Sequence, residues 1–537
     1  MSRQQLRVKD IGRKTDQLVS IDTSRLPKLP YPYEDWEDPP YPEIPEVKRA
    51  NKNISLDGIL NVPVPEPETE AEKEELVAKF LEGLRKLLTS RNNWTFLKPL
   101  MLSLDNCVRC NTCSDACPMF EMSGRVEVYR PLFRSEVLRR IIKKHLTPGG
   151  RLTAKFTGAD IDLNWDTIAR LAQLAYRCTL CRRCAQTCPM GVDNGLIARE
   201  IRKLFSQELG IVAPELHVEG TVKQLETGSS TGISPTALMD LFEFMEEDLH
   251  DRTGLNIKMP FDKPNADILL IHNAGEFLSW PENIEAFALI FEIAGLNWTL
   301  SSEMVGYDSV NYGLFYEDIQ LARVTLKHAE VAKKLGVKKV VVAECGHAHK
   351  AIMAIGDRVW LDESNIPRES CMVTLEDLIM NEKIMIDPER NNFPVTMHDP
   401  CNITRSMGII EPQRRVIKKI CPQFREMTPH GVHNYCCGGG SGFAIMQSNN
   451  FPNWRFTVPG RKKFAQILNA FTREELDPSR HKYVCAPCSN CKGQIRDLLN
   501  YYDAWDRTHI QYGGLVELIV NAMTDVREGF IEWDEFH

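Results

Sequence analysis

The sequence has no run of apolar residues approaching the ~18 to 20 that a membrane-spanning helix needs, although apolar residues make up 43% of its 537 positions. It has no excess of positive charge either: 65 Lys and Arg stand against 73 Asp and Glu, a formal −8. A binder of duplex nucleic acid would ordinarily carry the opposite balance. The opening residues, MSRQQLRVKDIGRKTDQ, place no apolar stretch after their charges, so no secretory signal is expected. These absences lead to the expectation of a soluble cytoplasmic chain of two to four folded units, at about 150 residues each.

Cysteine is abundant: there are 17. Without an export signal, so many thiols read as metal ligands rather than disulfides. Eight fall in two runs, Cys107-x2-Cys110-x2-Cys113-x3-Cys117-Pro118 and Cys178-x2-Cys181-x2-Cys184-x3-Cys188-Pro189. In this bacterial ferredoxin spacing, three thiolates on one tight loop hold three corners of an iron–sulfur cube. The fourth, followed by proline, points away to the other cluster. The spacing assigns Cys107, Cys110, Cys113 and Cys188 to one [4Fe-4S] cluster, and Cys178, Cys181, Cys184 and Cys117 to a second. Zinc also takes four thiolates from CxxC pairs, but two identical runs ending in Cys-Pro argue for cubanes. The role expected of this unit is electron relay.

A second set is Cys401 in HDPCNITR, Cys436 and Cys437 in NYCCGGGSG, and Cys485, Cys488 and Cys491 in CAPCSNCKGQI. Adjacent cysteines are ill suited to a mutual disulfide or to one tetrahedral ion, and suit neighbouring irons of a distorted cluster. The run Gly438 to Gly440 lets the backbone pass close to something bulky. Cys371 and Cys421 read as small core residues.

Ten prolines fall between Pro27 and Pro67, interleaved with Tyr31, Tyr33, Trp36 and Tyr41. Proline removes donors and fixes φ, so residues 1–68 are expected to be an extended arm wrapping a partner subunit or its own domain. A disordered leader is the alternative. Thr69 and Glu72 form a capping box before EELVAKFLEGLRKLL. SEVLRRIIKKH, WDTIARLAQLAYR and NGLIAREIRKLF place further helices around the cysteine runs, giving a helical ferredoxin-type domain over 69–210. Residues 211–262 read as a linker with one helix, ALMDLFEFMEEDL. Over 263–537 strands and helices alternate. ADILLIH, KKVVVAEC, FPVTMHDPC and HKYVCAPC are strands, the last three delivering a cysteine near the carboxyl end, where open α/β sheets hold ligands. The expected fold class is α+β and α/β: an α-helical two-cluster ferredoxin domain, then two Rossmann-like α/β halves over about 266–385 and 390–537.

The second set of cysteines resembles the CCG domain of heterodisulfide reductase catalytic subunits, a family in which the motif binds a noncubane [4Fe-4S]-type cluster at which disulfides are cleaved. Carried over by motif, the ligands are Cys401, Cys436, Cys437, Cys488 and Cys491. Cys485, one step earlier, replaces one of them or stands beside the cluster. The family usually has two such motifs, and here the first half departs: no cysteine follows His272-Asn273, and only Cys345 remains, in ECGHAHK. Cys345, His347 and His349 either line the substrate site, with the histidines supplying protons to a leaving thiolate, or the histidines are ordinary helix-start residues. Glu344 carries no assigned role. A ferredoxin unit followed by a CCG unit resembles HdrD, the fused heterodisulfide reductase chain, and DsrK. That resemblance implies the catalytic subunit of a menaquinone-linked membrane complex with a cytochrome b partner. It would lie peripherally on the inner face of the cytoplasmic membrane and reduce or form a disulfide or trisulfide on the sulfur carrier protein DsrC. The alternatives are a reductase of small thiol cofactors and an electron-transfer subunit of a flavin dehydrogenase.

Overall fold

The computed structural model describes residues 6–41, 54–362, 365–450 (447–450 by backbone alone), 453–534 and 536. Residues 1–5 and 42–53 of the expected arm lie outside the described residues.

Four helices organise the first unit: α1 Glu70–Leu87, α2 Pro131–His145, α3 Trp165–Tyr176 and α4 Asn194–Leu209. Their starts follow from local chemistry. Thr69 Oγ1 accepts the Glu72 N–H at 3.2 Å, while the Glu72 carboxylate takes the N–H of Glu68 instead of closing the box on Thr69. Pro131 opens α2, and Asn164 and Asp193 cap α3 and α4 by accepting the Thr167 and Leu196 N–H groups at 2.9 Å each. The apolar faces of the helices, including Phe80, Val137, Leu171 and Phe205, fuse into one core.

That core also contains Ile11, Leu56 and Val62 from the arm and Tyr316, Phe443 and Trp454 from the later unit. Farther along the arm, Leu29 and Tyr33 are buried in a second core with Phe464 and Tyr502, Tyr33 meeting the Phe464 ring at 5.0 Å. Arg461 Nε donates to the Pro27 carbonyl at 2.7 Å. The described arm therefore wraps its own chain. The helix in the 211–262 segment, α5 Pro235–Thr253, is likewise no free tether. Leu238, Phe242, Met245 and Leu249 join the core of the following sheet.

Two four-stranded parallel sheets follow. β1 Ile268–Ile271, β2 Trp298–Thr299, β3 Lys339–Val342 and β4 Arg368–Ser370 are ordered β2-β1-β3-β4; β5 Val395–Met397, β6 Phe424–Glu426, β7 Lys482–Cys485 and β8 Ile510–Gly513 are ordered β6-β5-β7-β8. The two halves thus repeat one Rossmann-like order, each with a switch point between its first and third strands, where the crevice for a ligand opens. Registers Ile271↔Val342 and Met397↔Cys485 put Cys345 and Cys488 at matching places, each three residues past the end of its strand. The switch points face each other. The Glu344 carbonyl accepts the Ser489 N–H at 2.7 Å, and its carboxylate accepts the Leu515 N–H at 2.8 Å and the Asn283 amide at 2.9 Å. Leu515 starts α8 (Leu515–Ala522), after α6 Pro281–Ile293 and α7 Ser489–Tyr501. Glu344, without a role in sequence, braces the two halves, and burial pushes its carboxyl up to about 7.

Candidate functional site

The two ferredoxin-type loops fold alike. Arg109 and Asn111 flank Cys110 with φ of 59° and 66°, and Leu180 and Arg182 flank Cys181 with φ of 51° and 62°. Left-handed backbone is costly for such residues, and it recurs at matching places on either side of the second cysteine of each loop. Burial and the neighbouring Cys107, Cys117 and Cys188 push the Cys113 thiol up to about 11. Cys184 is pushed up by burial first, then by Asp193, Cys181, Cys178 and Cys117. Cys188 thus acts on the first loop, and Cys117 acts on both. Between them lies the buried guanidinium of Arg134, whose charged neighbours are Cys178, Cys117, Cys184 and Cys113. The first loop is open, with Cys110 exposed; in the second, Cys178 and Cys184 are buried.

What buries the second loop is the later unit. Cys436 Sγ lies 3.2 Å from Thr179 Oγ1 and hydrogen-bonds Cys181. Ser441 Oγ donates to the Cys178 carbonyl at 3.0 Å, and Arg405 Nε to the Cys181 carbonyl at 2.6 Å. Arg202, on α4, donates to the Cys178 and Ser441 carbonyls at 2.6 and 3.2 Å. A Cβ on Gly440 would stand 3.0 Å from the Thr179 carbonyl oxygen, so glycine permits this approach.

Five thiols converge behind that contact. Cys437 is held low by hydrogen bonds from Cys436 and Cys491, and Cys488 by Cys491 and by the Gly346 N–H, 3.2 Å from its sulfur. Burial pushes Cys401 up to about 12, against the pull of Arg405, with Cys181, Cys437 and Cys488 nearby. A cavity of about 30 Å³ lies among Cys401, Cys437, Cys488, Cys491, His347 and Lys350. The donors are soft thiols crowded in a buried site, which suits an iron–sulfur centre and not a hard cation. Crowded thiols that oppose one another's ionisation are relieved when metal takes their protons' place.

The site also holds residues the motifs did not indicate. His398, directly after β5, brings a ring nitrogen within 4.8 Å of Cys437 and Cys491; its only signal in the sequence is its place beside Cys401 in HDPC. Lys463 is fully buried, bonding Asn434 and, at 2.5 Å, Gln466, and desolvation pulls its ammonium down to about 7. Cys485, by contrast, is not brought to the group. It ends β7 in the core that holds Cys421 and Cys371, where burial, then Glu344, pushes its thiol well up, because side chains alternate faces along a strand.

The Cys345 remnant lies on the opposing switch point. Cys345 Sγ accepts the Asn273 amide at 3.2 Å, stands 3.6 Å from His347 Nδ1, and is pushed up to about 12 by burial and by Cys488. His349 is pinned between the Cys345 carbonyl (2.8 Å) and Ser370 Oγ (2.7 Å), whereas His347 borders the cavity beside Phe315. Burial lowers both imidazoles to about 4. Neither is the near-neutral acid that histidine in solution would be; desolvation disfavours the charged form.

Known proteins share these parts. The 4Fe-4S dicluster domain family matches residues 103–192, and the cysteine-rich domain family matches residues 395–496. The chain is 27% identical over 487 residues to Hdr-like menaquinol oxidoreductase iron-sulfur subunit 2 of Archaeoglobus fulgidus, covering 83% of each chain. It is 26% identical over 463 residues to the corresponding iron-sulfur subunit of Archaeoglobus profundus, covering 78% of this chain and 79% of that one. It is also 26% identical over 357 residues to HdrD of the dihydromethanophenazine:CoB–CoM heterodisulfide reductase of Methanosarcina acetivorans, covering 64% of this chain and 79% of that protein. Among the described residues no helix is long and apolar enough to cross a membrane. The chain thus carries both families' cysteine patterns, and along most of its length it is similar to iron–sulfur subunits of the heterodisulfide reductase type.

Proposed function

We propose that this chain is the catalytic subunit of a membrane-associated, menaquinone-linked complex that reduces a disulfide or trisulfide. The reading gives it cubane [4Fe-4S] clusters on Cys107, Cys110, Cys113 and Cys188 and on Cys178, Cys181, Cys184 and Cys117. A noncubane [4Fe-4S]-type cluster takes Cys401, Cys436, Cys437, Cys488 and Cys491. The observation that carries it is the direct contact of Cys436 with Thr179 and Cys181, which leads a one-electron relay into a buried group of thiols bordering a cavity.

The reaction is RSSR + 2 e⁻ + 2 H⁺ → 2 RSH. When bound, the noncubane cluster supplies a sulfur-binding centre that stores electrons. The chain's own residues do the rest. The first loop, open at Cys110, receives electrons from the partner, a cytochrome b subunit in this reading. Lys463 offsets negative charge among the thiols. His347, neutral at pH 7, holds an N–H beside the cavity for a departing thiolate. The names of the Archaeoglobus relatives support the menaquinone link, and the resemblance to DsrK supports the sulfur carrier protein DsrC as substrate. Partner potentials decide whether the disulfide is reduced or formed.

The test is iron and sulfide counting with EPR on anaerobically purified Cys436→Ala and Cys437→Ala chains. Loss of the third centre and of disulfide reduction, with both cubane signals kept, supports the reading. A wild-type chain holding only the two cubanes, with Cys401 open to alkylation, overturns it.

A further inference from the structure

A second, larger cavity of about 450 Å³ lies between the ferredoxin unit and the first α/β half. It adjoins the thiol cavity: Leu180, Leu314 and Lys350 line both. Five cationic side chains reach it, Lys98, Arg182, Arg199, Lys350 and Arg358, against one carboxylate, Asp193. Two of the five are already neutralised. Arg182 pairs with Asp193 at 2.6 Å, and Arg199 with Glu200 and Asp318 at 2.8 and 2.5 Å. Among the described residues, Lys98, Lys350 and Arg358 have no ion-pair partner; Arg358 donates only to the Thr95 carbonyl. Lys350 stands at the junction, in the lining of both cavities. Three cations without an ion-pair partner around one cavity, in a chain of net charge −8, are a local feature and not a general surface bias.

Resting on the disulfide-reductase reading, we propose that this cavity is the vestibule through which the substrate enters. It holds the anionic arm of the disulfide, with Lys98 and Arg358 at its mouth and Lys350 at the junction with the thiol cavity. The substrate class is therefore a disulfide on a carboxylate-bearing body, and a cationic disulfide of equal size is excluded. The apolar walls, Phe96 and Leu196 among them, take the hydrocarbon part of the arm.

The test uses redox-inert probes so that binding is read apart from turnover. On anaerobic holoprotein, calorimetry compares 3,3′-thiodipropionate, a dianionic thioether, with the dicationic bis(2-aminoethyl) sulfide. Expected are binding of the dianion that weakens with salt, no binding of the dication, and about a tenfold loss of affinity in Lys350→Gln or Arg358→Gln, the value of one charged hydrogen bond. A peptide thioether with a free terminal carboxylate, run alongside, distinguishes a protein tail from a small molecule by which binds tighter; either order supports an anionic arm. Equal binding of both charges, or no binding of the dianion, overturns the vestibule. If the dianion binds yet no disulfide is reduced, the catalytic reading fails and the anion site stands. If cationic and anionic disulfides are reduced with equal KM, the vestibule fails and the catalytic reading stands.

Discussion

The sulfur of Cys436 lies 3.2 Å from the hydroxyl of Thr179, so the vicinal cysteine pair of one unit touches the cluster loop of the other. This contact depends on glycine at 440, where any Cβ meets the Thr179 carbonyl oxygen at 3.0 Å. Gly440→Val is expected to push the loops apart while leaving iron content intact. Rapid-freeze EPR should then show the cubanes reduced at the wild-type rate and the third centre reduced more slowly. An unchanged rate at the third centre would separate electron transfer from this contact.

Arg134 puts a buried positive charge between the two ferredoxin-type loops, beside Cys178, Cys117, Cys184 and Cys113, where the proposed cubanes would sit. A cation there favours the more negative, reduced state of each cluster. Arg134→Gln should lower both midpoint potentials, and Arg134→Lys should restore them in part, at constant iron content in a redox titration followed by EPR. A shift in neither cluster would leave Arg134 a packing residue.

The sequence carried some of this arrangement openly and hid the rest, for identifiable reasons. Ferredoxin spacing and vicinal cysteines are local, so the motifs around Cys107, Cys178 and Cys436 were legible within a few residues of chain. The strands ending near Cys345, Cys401 and Cys485 were legible because buried parallel strands read as apolar runs. Long-range facts were not. Lys350 and Arg358 meet Lys98 only through the fold, and His398 nears Cys491 only because β5 and β7 are neighbours. Cys485 matched a CxxC step yet points into the core, a distinction of strand face that spacing alone does not encode. The titration of His347 and His349 followed burial rather than residue type.

Those two histidines have separable roles. His349 makes two internal hydrogen bonds, so His349→Ala should cost about 1–3 kcal/mol of stability. His347 faces the cavity, and His347→Ala, which removes the N–H offered to the departing thiolate, should slow turnover by about ten- to a hundredfold, the value of a hydrogen bond to a charged group. The pH dependence has a defined sign. Both folded-state values, about 4, lie below the ordinary 6.5, so the unfolded chain binds more protons between them. Their contribution to stability is whole above about pH 6.5 and is lost as pH falls toward 4. Thermal melts across that range should show a shallower acid loss in either variant; an unaltered slope would mean that these imidazoles titrate normally.

The arm supplies the last prediction. Ile11, Leu29 and Tyr33 are buried in two different cores, and each such side chain contributes about 1.5–3 kcal/mol when removed from water. Tyr33 further seats its ring against Phe464 and Tyr502, while Asp38 forms a buried ion pair with Arg461. An arm serving only to hold a partner would come away without harm to the rest. Removal of residues 1–41 should instead lower the melting temperature by several degrees and expose Phe464 and Tyr502 to solvent, as reported by dye binding. The double variant Leu29→Ala/Tyr33→Ala should reproduce most of the loss at full length. A truncated chain that melts like the whole would assign the arm to a partner after all.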